Sequence, residues 1–185
     1  MKKLNFMKKA IYPFAAILLV AASAFTFIKS QDWKVNDDYT IKFSSEDPSG
    51  EFKGLQGAIK FDETDLASSK FDVTVDVSTI NTGNGMKNTH AKSDKWFDAT
   101  KFPTINFTST SIIKTPSGYD AKGNLQIHGV TKEFTIPFTF QKTATGGIFI
   151  SSFDINRLDF NINTAEPNHG ASKLKVDLNI PVTKA

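Results

Sequence analysis

The chain has 185 residues, 17 of them phenylalanine, no cysteine and a formal charge of +3. That length suits one domain with a core of useful size, and the lack of cysteine excludes disulfides, thiolate metal sites and a lipid-modified cysteine anchor. The positive charge does not point to nucleic acid: Lys2, Lys3, Lys8 and Lys9 precede any acidic residue, and setting these aside from 22 basic residues leaves 18 against 19 acidic ones, a near-neutral body.

Residues 1–24 read as a secretory signal peptide. The basic start is followed by an apolar run over 10–20 and by Ala22-Ser23-Ala24, a small-x-small cleavage pattern. Residues 10–28 come close to the length that spans a bilayer, so an uncleaved anchor reaching residue 28 is the alternative. Either way the remainder is expected outside the cytoplasm, periplasmic or secreted, with a membrane-anchored form as the variant. A linker over 25–32 leads into one domain over 33–183.

That domain reads as strands. In 33–43, Tyr39, Ile41 and Phe43 alternate with Thr40 and Lys42. Residues 51–61 carry Leu55, Gly57, Ile59 and Phe61 in phase; Phe52 is out of phase, and a bulge near Lys53-Gly54 would return it to the inner face. Residues 62–69 read as a helical turn or a loop. Phe71, Val73, Val75 and Val77 alternate strictly with Asp72, Thr74, Asp76 and Ser78, a half-buried strand. From 78 to 109 the chain turns through Gly83 and Gly85, crosses a polar stretch with His90, drops into Trp96-Phe97-Asp98 and returns as a strand over 102–109, with Pro103 at its start. Trp96 and Phe97 give this polar lid an aromatic underside. Ile105 and Phe107 share the inward phase of the returning strand.

A turn at 115–118 leads to a strand over 119–128 with Leu125 and Ile127 inward. Gly129 turns into 130–140, where Phe134, Ile136, Phe138 and Phe140 share a face. Pro137 directs this strand's other side to an edge or a bulge. Gly146-Gly147 turns into 148–157, with Phe153 and Ile155 in phase. The last strand, 174–182, brings Val176 and Leu178 inward between Leu174 and Ile180.

Eight sequential antiparallel strands with one apolar face define an all-β protein. They close into a barrel able to hold a small ligand, or stack as a sandwich filled by its own side chains. Periodicity does not separate the two. The inward phenylalanines read either as plain core or as the lining of an apolar tunnel.

The motifs Ser78-x-Ile80-x-Thr82-Gly83-Asn84, His90, Trp96-Phe97-Asp98 and Phe102-Pro103-x-Ile105-x-Phe107-x-Ser109 closely resemble the YceI-like family of exported bacterial proteins. So do Gly123-x-Leu125-x-Ile127-x-Gly129-Val130-Thr131-Lys132 and Asn156-Arg157-x-Asp159-Phe160. The likeness spans 33–182. It implies an eight-stranded antiparallel lipocalin-like barrel with a short helical lid segment, enclosing an apolar tunnel for an isoprenoid quinone, a polyprenyl lipid or another long amphiphile. No catalysis and no cofactor beyond the non-covalently held lipid are implied; homodimers and transient membrane contact are. This chain departs from the family pattern at Asn88, beside Lys87, where an acid is usual, and at Asn161, where glycine is usual. Asparagine tolerates the left-handed backbone that the second position needs.

Lining candidates are therefore Phe43, Phe61, Val73, Val75, Val77, Trp96, Phe97, Ile105, Phe107, Leu125, Ile127, Phe134, Ile136, Phe138, Phe153, Ile155, Val176 and Leu178. Asn84, Lys87, His90 and Asp94 are candidates for a ligand head group, or else ordinary capping and solvated residues of a loop. Arg157 is in phase with Phe153 and Ile155. Paired with Asp159 on one strand face it would close the barrel end; alone it would meet an anionic head group. A metal site is not supported, since His90, His128 and His169 lack ligand spacing. Gly83-x-Gly85-x-x-Asn88 is not a dinucleotide loop, no nucleophile elbow occurs, and Asp62, Glu63 and Asp65 lack the rest of a calcium loop. Asn106-Phe107-Thr108 is a glycosylation sequon by letter only, set in a strand.

Overall fold

The computed structural model describes residues 31–167 and 171–185. The expected signal segment, its alternative extension to 28, most of the expected linker and His169 lie outside these residues. The described strands are β1 (Asp32–Val35), β2 (Thr40–Ser44), β3 (Gly50–Phe52), β4 (Gln56–Lys60), β5 (Lys70–Asp76), β6 (Thr104–Thr115), β7 (Gly118–Ile127), β8 (Val130–Lys142), β9 (Gly146–Asn156) and β10 (Lys173–Lys184), with one α-helix, α1 (Gly85–Lys92). Neighbours run β1-β4-β5-β6-β7-β8-β9-β10, and β10 returns to β1, so the sheet closes on itself.

β10 pairs with β1 at its C-terminal end and with β2 further back. β1 and β2 are thus halves of one wall position, and β3 and β4 of another. The ring is an eight-stranded closed antiparallel barrel, which leaves no free sheet edge at closure. The choice between barrel and sandwich falls to the barrel.

Two expected strands are interrupted. The span 33–43 breaks between β1 and β2, where Asn36 N–H turns to the Pro181 carbonyl (2.9 Å). The span 51–61 breaks between β3 and β4. Gly54 there has φ +70 and lies so close to Asp76 that a Cβ would come within 2.7 Å of its side chain. The expected bulge is a full break, and it does put Phe52 inside.

The strand expected over 102–109 starts after Pro103 but continues to Thr115. A register shift between Ser109 and Ser111 flips the phase, so that Ile112 is buried and Ile113 faces out. That flip hid the extension from an alternation test. β7 turns into β8 through His128 (φ 51) and Gly129 (φ 75), two left-handed residues as a tight hairpin requires. β8 meets β9 only over Thr139–Lys142 and Gly147–Ile150. Pro137 has no N–H to offer, and on its N-terminal side the two strands part, with the Ser151 hydroxyl donating to the Pro137 carbonyl.

The β5–β6 connection forms the lid. Asn84 caps α1 by accepting from Met86 N–H (3.0 Å) and Lys87 N–H (3.1 Å). Asn88 Oδ1 accepts from both the N–H (2.8 Å) and hydroxyl (2.7 Å) of Thr82. The amide oxygen ties the helix to the strand exit.

Candidate functional site

The barrel encloses a cavity of about 560 Å³, open at the lid end and lined almost wholly by apolar side chains. Its size is that of a small-molecule or lipid-tail site. Three levels build it.

The floor is aromatic. Phe71, Phe138 and Phe149, from β5, β8 and β9, face the cavity. Their rings touch one another, with centroids 5.3, 5.6 and 5.8 Å apart. Beneath them Phe61, 1% exposed, packs against all three and against Tyr119 and Phe140. Below the rings, Glu63 accepts from the Tyr119 hydroxyl (3.0 Å) and pairs with Lys142. The Lys142 ammonium, then the Tyr119 hydroxyl, hold the Glu63 carboxyl below the usual carboxylate range against the opposing effect of burial.

The waist is mainly aliphatic, with Phe107 set beside Val73 and Leu125 of the neighbouring strands. Val73, Val75, Ile105, Leu125, Ile127 and Ile136 line one side, and Ile155, Val176 and Leu178 the other. These side chains stop short of the axis where rings would meet across it, which is why the cavity opens above the floor.

The ceiling is aromatic beneath and polar above. Phe43, Phe52 and Phe97 meet in sequence, tilted and then edge to face, at 5.5 and 5.8 Å, joining the lid's underside to β2 and β3. Trp96 also lines the space there. Lys87 and His90 of α1 reach the cavity mouth, and Lys87 Nζ meets Asp47 of the β2–β3 turn at 2.7 Å.

Several candidates lie elsewhere. Phe61 is under the floor, not on it. Val77 begins a 3₁₀ turn after β5 and is buried away from the cavity. Phe134 lies where β8 has lost its β9 partner, and leans on Phe153 (5.5 Å), which lines the wall in its place. Asn84 is committed to capping, and Asp94 is an exposed residue off the cavity.

Arg157 lines the cavity mouth and is 2% exposed. The expected pair with Asp159 does not form. β9 ends at Asn156, and the chain then makes a 3₁₀ turn over Arg157–Phe160 that closes on Asn161 in the left-handed region (φ 57). The turn sends Asp159 outward to Lys132 (3.7 Å). Arg157 instead donates to the carbonyls of Ala171, Ile162, Asn163, Glu166 and Pro167 at 2.7–3.4 Å. Its guanidinium also lies 5.4 Å from the Trp96 ring centroid. Burial lowers its pKa. The five N–H groups of the fork are thus engaged by the crossover between β9 and β10.

Lining residues absent from the candidate set fall into two kinds. Ile41, Ile59, Phe71, Phe149, Leu174 and Ile180 share the alternation of strands already identified, so phase alone finds them. Ile80, Ile162 and Ala171 come from turns and the crossover, where no period marks the inner side. Among the described residues no group of three or more His, Asp or Glu side chains is placed to hold a metal.

Comparison with known proteins agrees with this geometry. The profile of the YceI-like domain matches residues 33–183. Protein YceI of Salmonella arizonae is 32% identical over 139 residues, which cover 72% of this chain and 71% of that protein. Burkholderia cenocepacia BcnA superposes with a TM-score of 0.75 at 26% identity, over 81% of this chain and 99% of its own. A polyisoprenoid-binding domain from Saccharophagus degradans superposes with a TM-score of 0.64 at 16% identity, over 85% and 100% of the two chains, a likeness of fold.

Proposed function

The chain belongs to the YceI-like domain family, and from that premise we propose that it holds the tail of a long-chain isoprenoid, or of a similar amphiphile, inside its barrel for carriage or storage outside the cytoplasm. One observation carries the reading: a single apolar space, blocked at one end and open at a polar mouth. Each methylene moved from water into such a lining contributes about 0.8 kcal/mol, so a long tail binds firmly without specific contacts. The Saccharophagus domain, which shares the fold, is a polyisoprenoid-binding one and supports the same ligand class, and the signal-like segment over 1–24 supports the compartment.

Lys87 and His90 stand where a head group would emerge. Arg157 also lies at the mouth, but its donors are engaged with carbonyls. The head group is therefore met by the lid and not by the crossover. Loading from a membrane fits the exposed lid, where Met86 is 71% exposed beside Lys87.

The test is direct. The exported protein is purified without detergent and extracted with organic solvent, and the extract is read by mass spectrometry. An isoprenoid amphiphile near equimolar with protein is expected. An empty extract, together with no uptake of added prenyl quinone, would mean a protein that shares the barrel and keeps no dedicated ligand.

A further inference from the structure

The floor has a consequence for which tails fit. Phe149, Ser151, Phe153, Ile155 and Arg157 point inward in turn along one wall. At roughly 3.3 Å per residue and a strand tilt of roughly 40°, that run gives about 20 Å of depth from floor to mouth. An extended carbon chain advances about 1.3 Å per bond, so about 15 bonds fit, on the order of four isoprene units. Below this depth the way is shut. Phe71, Phe138 and Phe149 come from three different strands, and their rings close on one another over Phe61. Phe61 is 1% exposed and held on its far side by Tyr119 and Phe140, so the rings above it have no slack to swing into.

We infer that Phe71, Phe138 and Phe149, seated on Phe61, fix the length of tail the barrel accepts at about four isoprene units, an inference that rests on the tail-binding reading above and deepens it. A longer tail gains nothing from its extra units, because they stay at the mouth in water or on a membrane. Among wall residues, Val73 lies next above Phe71 on β5. A ring at that position fills open space and raises the floor.

Binding of farnesol, geranylgeraniol and solanesol is measured by displacement of a polarity-sensitive dye. In the unaltered protein geranylgeraniol binds at least about tenfold tighter than farnesol, and solanesol stays within about threefold of geranylgeraniol. Phe149→Ala deepens the barrel and moves the gain to solanesol. Val73→Phe makes it shallower and levels farnesol with geranylgeraniol; it needs no core truncation, so it serves if Phe149→Ala does not fold. Affinity that climbs through solanesol in the unaltered protein, or Val73→Phe binding with an unchanged length profile, overturns the floor while leaving tail binding in place. Failure of every alcohol to displace the dye overturns tail binding, and the floor's role with it.

Discussion

Arg157 shows how a single side chain can be misjudged from its phase. Alternation with Phe153 and Ile155 places it at the inner wall, and it is there. Its partners, however, are backbone carbonyls of a segment with no pattern of its own. Its work is to hold the crossover over the barrel mouth, with Trp96 stacked on the guanidinium. Arg157→Met leaves several buried carbonyls without donors, so stability in a denaturant melt falls by about 3 kcal/mol. Because those donors do not face the ligand, binding of a polyprenyl phosphate and of a neutral prenyl quinone weaken by the same factor. A much larger loss for the phosphate would restore a head-group role to Arg157. Asn88 and Asn161 make a related point. Each departs from the expected pattern, and each performs the local task by its own chemistry, one through an amide acceptor and one by tolerating φ 57.

At the level of elements, the lid is the part most dependent on local chemistry. α1 is short, buries no residue fully and has polar side chains around most of its surface, so packing contributes little and capping contributes more. Asn84→Ala removes the acceptor for two amides and costs about 1 kcal/mol of helix stability. Hydrogen exchange of the Met86 and Lys87 amides then quickens by about fivefold, while amides of β6 and β7 exchange as before. Equal exchange in both proteins would mean that the lid is held from below by Phe97 on Phe52, with its cap incidental. The β8–β9 seam is the other element with a chemical marker. Pro137 announced an edge, and the ladder does end there; on the mouth side of it the wall is lined by Phe153, marked by its phase, and by Ile162 of the crossover, which no period marks.

For the molecule as a whole, the two barrel ends differ in kind. The lid end is open and polar, whereas the far end is sealed by rings and by Glu63 with Tyr119 and Lys142 across the turns. Glu63 has a carboxyl pKa lowered by folding. Its contribution is therefore present above the ordinary glutamate range and is lost as pH falls through the lowered value. Melting temperatures of the native protein and of Glu63→Gln, followed from neutral pH downward, converge in acid. A gap that stays constant with pH would show that the carboxylate's charge is immaterial to the seal. A near-neutral exterior fits the same picture, in which the ligand is gripped by apolar area inside and not drawn in by net charge.

The sequence by itself determined that eight β-positions follow one another with an apolar face, that a polar lid with aromatic underside interrupts them, and which family pattern they follow. Period-two alternation is a local property, and each strand carries it whether or not the others are in place. The tertiary structure decided what lies at the centre. Whether inward side chains meet depends on which of them share a level around the ring, and levels are set by register and strand tilt across residues far apart in sequence. Phe61, Phe71, Phe138 and Phe149 converge from four strand regions to make a floor, while Val73, Val75, Val176 and Leu178 face a gap they are too small to span. No spacing in the chain distinguishes the one set from the other; closure of the barrel does.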